Sequence, residues 1–323
     1  MKTIAIAAGG DSSEYQISLK SAYEVSKLIS TRYKVYIIVI KNTSWYWEDP
    51  KGRYHSIDKN NFTLNVDGIT IRFDAVFIAI HGKPGENGML QGYLDMMQLP
   101  YTGCNAFCSA LTFNKHACKL FLKEYRIPMA ENILVRKNEQ IDADGIIRLL
   151  GLPCFVKPND SGSSFGVSKV RKAEEFADAL SLAFKESDEV VIESFMKGRE
   201  VACGIVKTRT RKIILPVTEI ISKNEFFDYE AKYTPGKSDE ITPADLPEKV
   251  TDEVQRLSSL INDTLGCSGI VRVDFIIADN KPLFLEINTI PGMTEESLIP
   301  KQAAVAGIHL EELYSMVIED LFV

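Results

Sequence analysis

Residues 270–298, IVRVDFIIADNKPLFLEINTIPGMTEESL, decide how the rest of the chain is read. Two apolar runs, 270–277 and 283–287, flank Ala278-Asp279-Asn280-Lys281-Pro282. Alternating runs joined by a short polar segment predict a β-hairpin with a five-residue loop. Side chains in a strand alternate faces. Val271, Val273, Phe275 and Ile277 therefore share one face with Leu283, Leu285 and Ile287, and Arg272, Asp274, Glu286 and Asn288 occupy the other. Pairing Ile277 with Leu283 sets Asp274 opposite Glu286 and Arg272 opposite Asn288. Like charges directly opposed are destabilising, so a cation held between them is one explanation. Two carboxylates and an amide oxygen are hard ligands of the kind that hold Mg²⁺ together with phosphates. A solvated hairpin face is the other explanation.

The 323 residues suggest about two domains. A hydrophobic content of 45% with 25% charged residues is that of an ordinary globular protein with ample core. A net charge of −7 argues against non-specific nucleic-acid binding. No apolar run approaches a membrane span, and MKTIAIAAGGDSSE turns polar too soon for a signal peptide and reads as a first strand. The six cysteines form no C-x-x-C pair and sit mostly among apolar residues, as expected for reduced thiols in the cytoplasm. Cys104 and Cys108 have a metal-pair spacing, but the sequence shows no second pair to complete four ligands.

Upstream, residues 3–8 predict a buried strand, 18–30 a helix and 33–40 a second strand, which argues for a parallel α/β unit. The turn Gly9-Gly10-Asp11-Ser12-Ser13-Glu14 lies at the carboxyl end of the first strand, where open α/β sheets bind ligands. It lacks the full G-x-G-x-x-G pattern, which argues against a nicotinamide cofactor. A strand over 74–80 ends in His81, facing the same crevice as Glu14, so the histidine is either structural or functional. A helix over 88–97 and an exit at 99–101 close this unit near Gly103.

The next helix, 114–125, carries Lys115. A strand over 154–157 runs into KPNDSGSSFG, and a strand resumes at 167–170. A small-residue loop with lysine at its entry folds over phosphates through its backbone N–H groups, or is simply a flexible turn. The strand 190–193 ends in Glu193-Ser194-Phe195-Met196, an adenine-pocket wall or an ordinary edge. Strands over 200–206 and 213–217 make this region antiparallel in character. Residues 222–239 form a long polar segment with aromatic residues, more like a functional lid than simple disorder. A helix over 247–265 precedes the hairpin, and the final helix shows a core stripe of Leu310, Leu313, Tyr314, Val317 and Leu321.

Two motif matches fail. Tyr233–Ser238 resembles the end of a P-loop, but Ala231 replaces the first glycine and no strand and helix flank it. Gly162-Ser163-Ser164-Phe165-Gly166 fits G-x-S-x-G, but a strand, not a helix, follows Ser164, and the only later histidine is His309.

Five blocks carry a more specific signal: Gly-Gly-x-Ser-x-Glu, HGKPGENGMLQG at 81–92, FVKPNDSGSSFGVSKV at 155–170, FFDYEAKY at 226–233, and RVDF…LEINTIPGMT at 272–294. Together, and in this order, they resemble the D-alanine–D-alanine ligases, ATP-grasp enzymes of bacterial wall synthesis. The resemblance spans nearly the whole chain. It implies an N-terminal parallel α/β domain (1–103), a central domain (104–193) and a C-terminal domain (194–323), the last two α+β in character and clasping ATP between antiparallel sheets. It implies ATP-dependent joining of two D-alanine molecules through an acyl phosphate, and a cytoplasmic homodimer. D-serine or D-lactate acceptors, or a non-catalytic nucleotide binder, are the alternatives.

The same resemblance implies residue roles. Asp274, Glu286 and Asn288 hold two Mg²⁺ or Mn²⁺ ions. Lys115, Lys157 and Lys232 face the nucleotide phosphates, covered by Ser163 and Ser164. Glu193 and the backbone near Met196 meet adenine, and Glu200 the ribose. Glu14, with His81 nearby, takes the first D-alanine's ammonium. Arg272 and the backbone at Gly292 stabilise the oxyanion, Ser297 and Leu298 bind the second D-alanine, and Tyr233 ties the long loop to Glu14 and Ser163. Three positions depart from the family pattern: Glu296 stands where histidine is usual, Gln16 where an acid is frequent, and Ser194 where a lysine is frequent.

Overall fold

A computed structural model describes residues 1–222 and 237–323. Among these residues the strands form three sheets. The first centres on Thr3–Gly9, parallel to Lys34–Lys41 on one side and to Ala75–Ile78 on the other. Its central strand is almost entirely buried, as expected where helices cover both faces. The helix Tyr15–Ile29 follows at once, with Glu14 at its N-cap position. Buried Ser18 ties helix to sheet: its hydroxyl accepts from the Gly9 N–H and donates to the Ala79 carbonyl, both at 2.8 Å. Residues 42–61 add antiparallel strands at one edge of this sheet. Ser44–Glu48 and Tyr54–Asp58 extend the sheet antiparallel, with Thr63–Val66 and Ile69–Ile71 beyond them.

The second sheet is antiparallel, ordered Ser168–Val170, Cys154–Pro158, Glu189–Ser194, Asn132–Arg136. Its core packs against the helices Ala143–Leu150 and Phe176–Ala183. The third runs Ser238–Ile241, Thr218–Ser222, Arg199–Lys207, Gly269–Ala278, Lys281–Asn288, with Lys212–Ile214 also on Arg199–Lys207. One face of it buries Val201, Val273 and Phe275 against the helix Glu248–Thr264. The helices Ala106–Phe113 and Lys115–Lys123 add Cys108, Cys118 and Leu122 to that same core. The last helix, Leu310–Glu319, returns to the first sheet, where Tyr314 is fully buried beside Phe77.

The hairpin forms, with two corrections. Its turn is two residues, Asp279 and Asn280, both at positive φ (49° and 60°), because Ala278 pairs with Lys281. Asn and Asp tolerate this conformation, and two such residues match the twist of the flanking strands. Ile277 accordingly faces Pro282, not Leu283. A bulge after Asp274 absorbs the one-residue shift and restores Asp274 opposite Glu286 and Arg272 opposite Asn288. The bulge also changes which side chains go inward. Phe284 is buried with Phe275 and Ile287, whereas Leu285 turns to the charged side and lines the cleft described below. A bulge re-aims side chains in this way because it breaks the two-residue alternation.

Candidate active site

A cleft opens between the second and third sheets. Lys157 and Glu193 line it from one side, Glu200, Glu286 and Asn288 from the other, and the loop 161–165 lies over it.

On the second sheet, Glu193 pairs in register with Phe155, which brings it beside Lys157 two residues on, on the same face. Lys157 Nζ donates to Glu193 Oε2 at 2.8 Å, and Lys119 Nζ donates to Oε1. Glu193 and Lys119 are each only 2% exposed. Burial alone would raise the Glu193 pKa, but the two ammonium charges outweigh it and hold the carboxyl at about 2. Burial likewise opposes the Lys157 charge, and Glu193 outweighs it, so Lys157 is raised. Lys119 has no assignment from sequence. It lies one helical turn after Lys115 on Lys115–Lys123 and so shares its face, but nothing in the sequence ties it to a carboxylate.

The loop after Lys157 is fixed at its base. The Lys115 N–H donates to the Asn159 carbonyl at 3.0 Å, the His116 N–H to Asn159 Oδ1 at 2.9 Å, and Lys115 Nζ to the Ser161 carbonyl at 2.5 Å. Lys83 Nζ reaches Asp160 Oδ2 at 2.5 Å from the first unit. Ser163 and Ser164 are both left-handed, at φ 48° and 59°. Non-glycine residues held there mark sites whose surroundings impose the conformation. After them comes the strand Ser168–Val170, so the helix a nucleophile elbow requires is absent.

The loop also meets the first unit. Ser163 Oγ donates to Glu14 Oε1. A Cβ on Gly162 would lie 2.3 Å from Glu14 Oε2, so only glycine lets the loop approach this closely. Glu14 Oε2 is buried with no hydrogen-bond partner among the described residues. A buried, unsatisfied carboxylate oxygen is costly, which suits a group kept for a cationic ligand.

His81 lies beside Glu14, held by both ring nitrogens. Nδ1 donates to the Ile290 carbonyl at 2.8 Å, which leaves Nε2 to accept from Ser21 Oγ at 2.9 Å. Burial lowers its pKa, so the ring is neutral. Glu86 also lines the cleft and had no assignment from sequence, although it stands in the HGKPGENG block. Burial first, and the Glu14 charge second, raise its pKa to about 8 against backbone hydrogen bonds from Gly82 and Ile290.

On the third sheet, the Arg272 guanidinium grips Asp274 in bidentate fashion, Nε to Oδ1 at 2.8 Å and Nη2 to Oδ2 at 2.7 Å. Asn288 Nδ2 also donates to Asp274 Oδ2, at 3.1 Å. Three members of the predicted row, Arg272, Asp274 and Asn288, therefore form one hydrogen-bonded set. Farther along, Thr294 and Ser297 hydroxyls are 2.9 Å apart, and a Cβ on Gly292 would lie 2.7 Å from Ser297 Oγ. Ser297 is the N-cap of Leu298–Val305, and a helix N-terminus favours negative charge. Met196 and Glu200 line the cleft beside Glu193. Lys232 and Tyr233 lie outside the described residues. Of the three departures, Glu296 and Gln16 are exposed, and the Ser194 hydroxyl donates to the Leu150 carbonyl at 3.0 Å.

Two antiparallel sheets closing on a cleft of lysines and carboxylates, beside a parallel α/β unit, make this an ATP-grasp fold. Residues 3–104 match the family model for the D-ala D-ala ligase N-terminus, and residues 121–319 that for the D-ala D-ala ligase C-terminus. The chain belongs to the D-alanine–D-alanine ligase family. It is 48% identical to a D-alanine–D-alanine ligase of Phocaeicola vulgatus, with 99% of each chain covered. Its fold is similar to that of D-alanyl-alanine synthetase A from Vibrio cholerae (TM-score 0.89, 29% identity, 100% of this chain and 99% of the other). It is also similar to a D-Ala:D-Ser ligase from Enterococcus faecalis (0.86, 30%, 99% of each), and to an ATP complex of the Bacillus anthracis D-alanine–D-alanine ligase (0.79, 30%, 100% and 98%).

Proposed function

We propose that this chain joins two D-alanine molecules into D-alanyl-D-alanine, converting ATP to ADP and phosphate, for peptidoglycan precursors. The observation that carries the reading is the contact of Ser163 with Glu14, which couples a buried carboxylate to the loop over the cleft. One oxygen of Glu14 is left for the ammonium of the first D-alanine. The carboxylate of that molecule attacks the γ-phosphorus of ATP, ADP leaves, and an acyl phosphate forms. The amine of the second D-alanine attacks the acyl carbon, loses a proton, and expels phosphate.

Anions meet in both steps, so fixed positive charge lowers both barriers. Lys115 and Lys157 neutralise the phosphates, and Ser163 and Ser164 cover them. Glu193 orients Lys157 and Lys119 and, with Met196, walls the adenine; Glu200 takes the ribose. Arg272 and the Gly292 backbone face the oxyanion, and Ser297 and Leu298 hold the second carboxylate at a helix N-terminus. His81 fixes the Ile290 carbonyl, and with it the start of that segment. Lys232 and Tyr233 are proposed for the phosphates and for lid closure.

Asp274, Glu286 and Asn288 fit Mg²⁺ or Mn²⁺: they are hard donors, Glu286 and Asn288 on the cleft wall and Asp274 directly opposite Glu286 on the hairpin. Asn288 would present Oδ1 by rotating the amide that now donates to Asp274. Such ions would neutralise phosphate charge. The three sheets support the division 1–103, 104–193 and 194–323. A cytoplasmic homodimer is proposed with it; among the described residues no helix is long and apolar enough to cross a membrane. The test is incubation with ATP, MgCl₂ and D-alanine, D-serine or D-lactate, with products identified by mass spectrometry. The expected product is the D-alanine dipeptide with stoichiometric phosphate; no product with any acceptor overturns the reading.

A further inference from the structure

Three thiols far apart in sequence meet where the first unit joins the third sheet. Cys104, Cys108 and Cys267 offer sulfur atoms that all lie within 4.8 Å of one another. Cys108 Sγ and Cys267 Sγ are 3.6 Å apart, and all three residues are 1–2% exposed. They come from three backbone settings: the residue before the helix N-cap Asn105, the first turn of Ala106–Phe113, and the segment after Glu248–Thr264. The frame around them is tied together. Ser268 Oγ donates to the Gly103 carbonyl at 2.5 Å, and the Gly269 backbone packs directly on Gly103.

A trigonal ion with metal–sulfur bonds of about 2.3 Å places its sulfurs about 4.0 Å apart. The cluster brackets that spacing, with one pair at 3.6 Å and every pair within 4.8 Å. Its donors are all soft sulfur, a set that selects thiophilic d¹⁰ cations over Mg²⁺. Three sulfurs without a fourth Cys, His, Asp or Glu in the group among the described residues suit a three-coordinate monovalent ion better than tetrahedral zinc.

We propose that Cys104, Cys108 and Cys267 form a buried site for one thiophilic monovalent cation, Cu(I) or its analogue Ag(I), separate from the catalytic cleft. Occupancy ties the start of Ala106–Phe113 to the start of Gly269–Ala278, across the junction between the first unit and the third sheet. The sequence could not show this. Cys104 and Cys108 lie in one segment, and Cys267 reaches them only through the fold.

The test titrates the reduced full chain with Cu(I) under anaerobic conditions against a colorimetric Cu(I) chelator. The expected result is one retained equivalent, three sulfur neighbours by X-ray absorption, and a rise in melting temperature. Cys267→Ala should lower retention at least about tenfold, whereas Cys203→Ala, which removes a buried thiol outside the group, should leave it unchanged. Circular dichroism checks that each variant is folded; should Cys267→Ala fail to fold, Cys104→Ser and the sulfur count on the wild-type chain decide. The proposal is overturned if the folded wild-type chain yields all its Cu(I) to the chelator, if fewer than three sulfurs surround the ion, or if retention survives loss of a cluster cysteine.

Discussion

The two walls of the cleft carry charge differently. On the second sheet, one buried carboxylate lies between two ammonium groups, Lys119 and Lys157 on Glu193. On the third, one guanidinium serves Asp274 while Glu286 stands opposite. The first wall gathers two ammonium groups on one carboxylate, and the second sets two carboxylates opposite each other on the hairpin. In the proposed function ATP lies between them, its phosphates facing the lysines. Each wall also holds a largely buried ion pair, Glu193 with Lys119 on the first and Asp274 with Arg272 on the second.

The strongest way to break this contrast is at the hairpin. Asp274→Ala and Glu286→Ala should each lower turnover about 10³-fold or more, the scale of losing a main electrostatic element; the melt of Glu286→Ala should stay within a few degrees, whereas Asp274→Ala also removes the bidentate partner of Arg272 and should lower it further. Phosphate release at saturating ATP and MgCl₂ measures this, and near-wild-type turnover in either variant would refute the division.

At the other wall the effect should fall on stability. Lys119→Met leaves Glu193 buried with one cation instead of two, and should cost about 3 kcal/mol, the lower end for breaking a buried pair. Urea unfolding reads it directly. Acid should act on the same group. Because the folded pKa of Glu193 is depressed to about 2 from 4.5, its contribution is present above 4.5 and is lost as pH falls through about 2.

Glu86 tests the cleft floor with the opposite sign. Its folded pKa is raised to about 8 from 4.5, so its contribution is complete below 4.5 and is lost as pH rises through about 8. Glu86→Gln should therefore gain stability relative to wild type as pH rises across that window, measured by unfolding at a series of pH values. A constant difference would mean that the buried carboxyl is not the titrating group. The smallest effect belongs to the Lys83–Asp160 bridge, whose side chains are 43% and 28% exposed. Lys83→Ala should cost under about 1 kcal/mol.

Much of this contrast was legible early. The alternation of 270–288 gave the hairpin and the opposition of Asp274 to Glu286, since strand periodicity is a local property. The route was faulty at the turn, and the bulge at Asp274 repaired it, because turn type and bulge depend on backbone twist that apolar patterning does not encode. The lysine of the 157–166 loop was visible as a motif. Lys119 was not, because a lysine on an amphipathic helix reads as solvated until its carboxylate arrives from a strand some 70 residues on. Glu86 was passed over for a like reason: only burial gives it a shifted pKa.

By itself, then, the sequence determined the local periods and five ordered blocks, and with them the family. The tertiary structure alone decided which charges meet. Glu193 gained its second lysine, Glu14 its serine and its unpartnered oxygen, and Cys267 its two companion thiols, each across many residues of chain. The physical reason is that periodicity follows from backbone geometry one residue at a time, whereas burial and charge pairing exist only once separate segments have excluded water from the space between them.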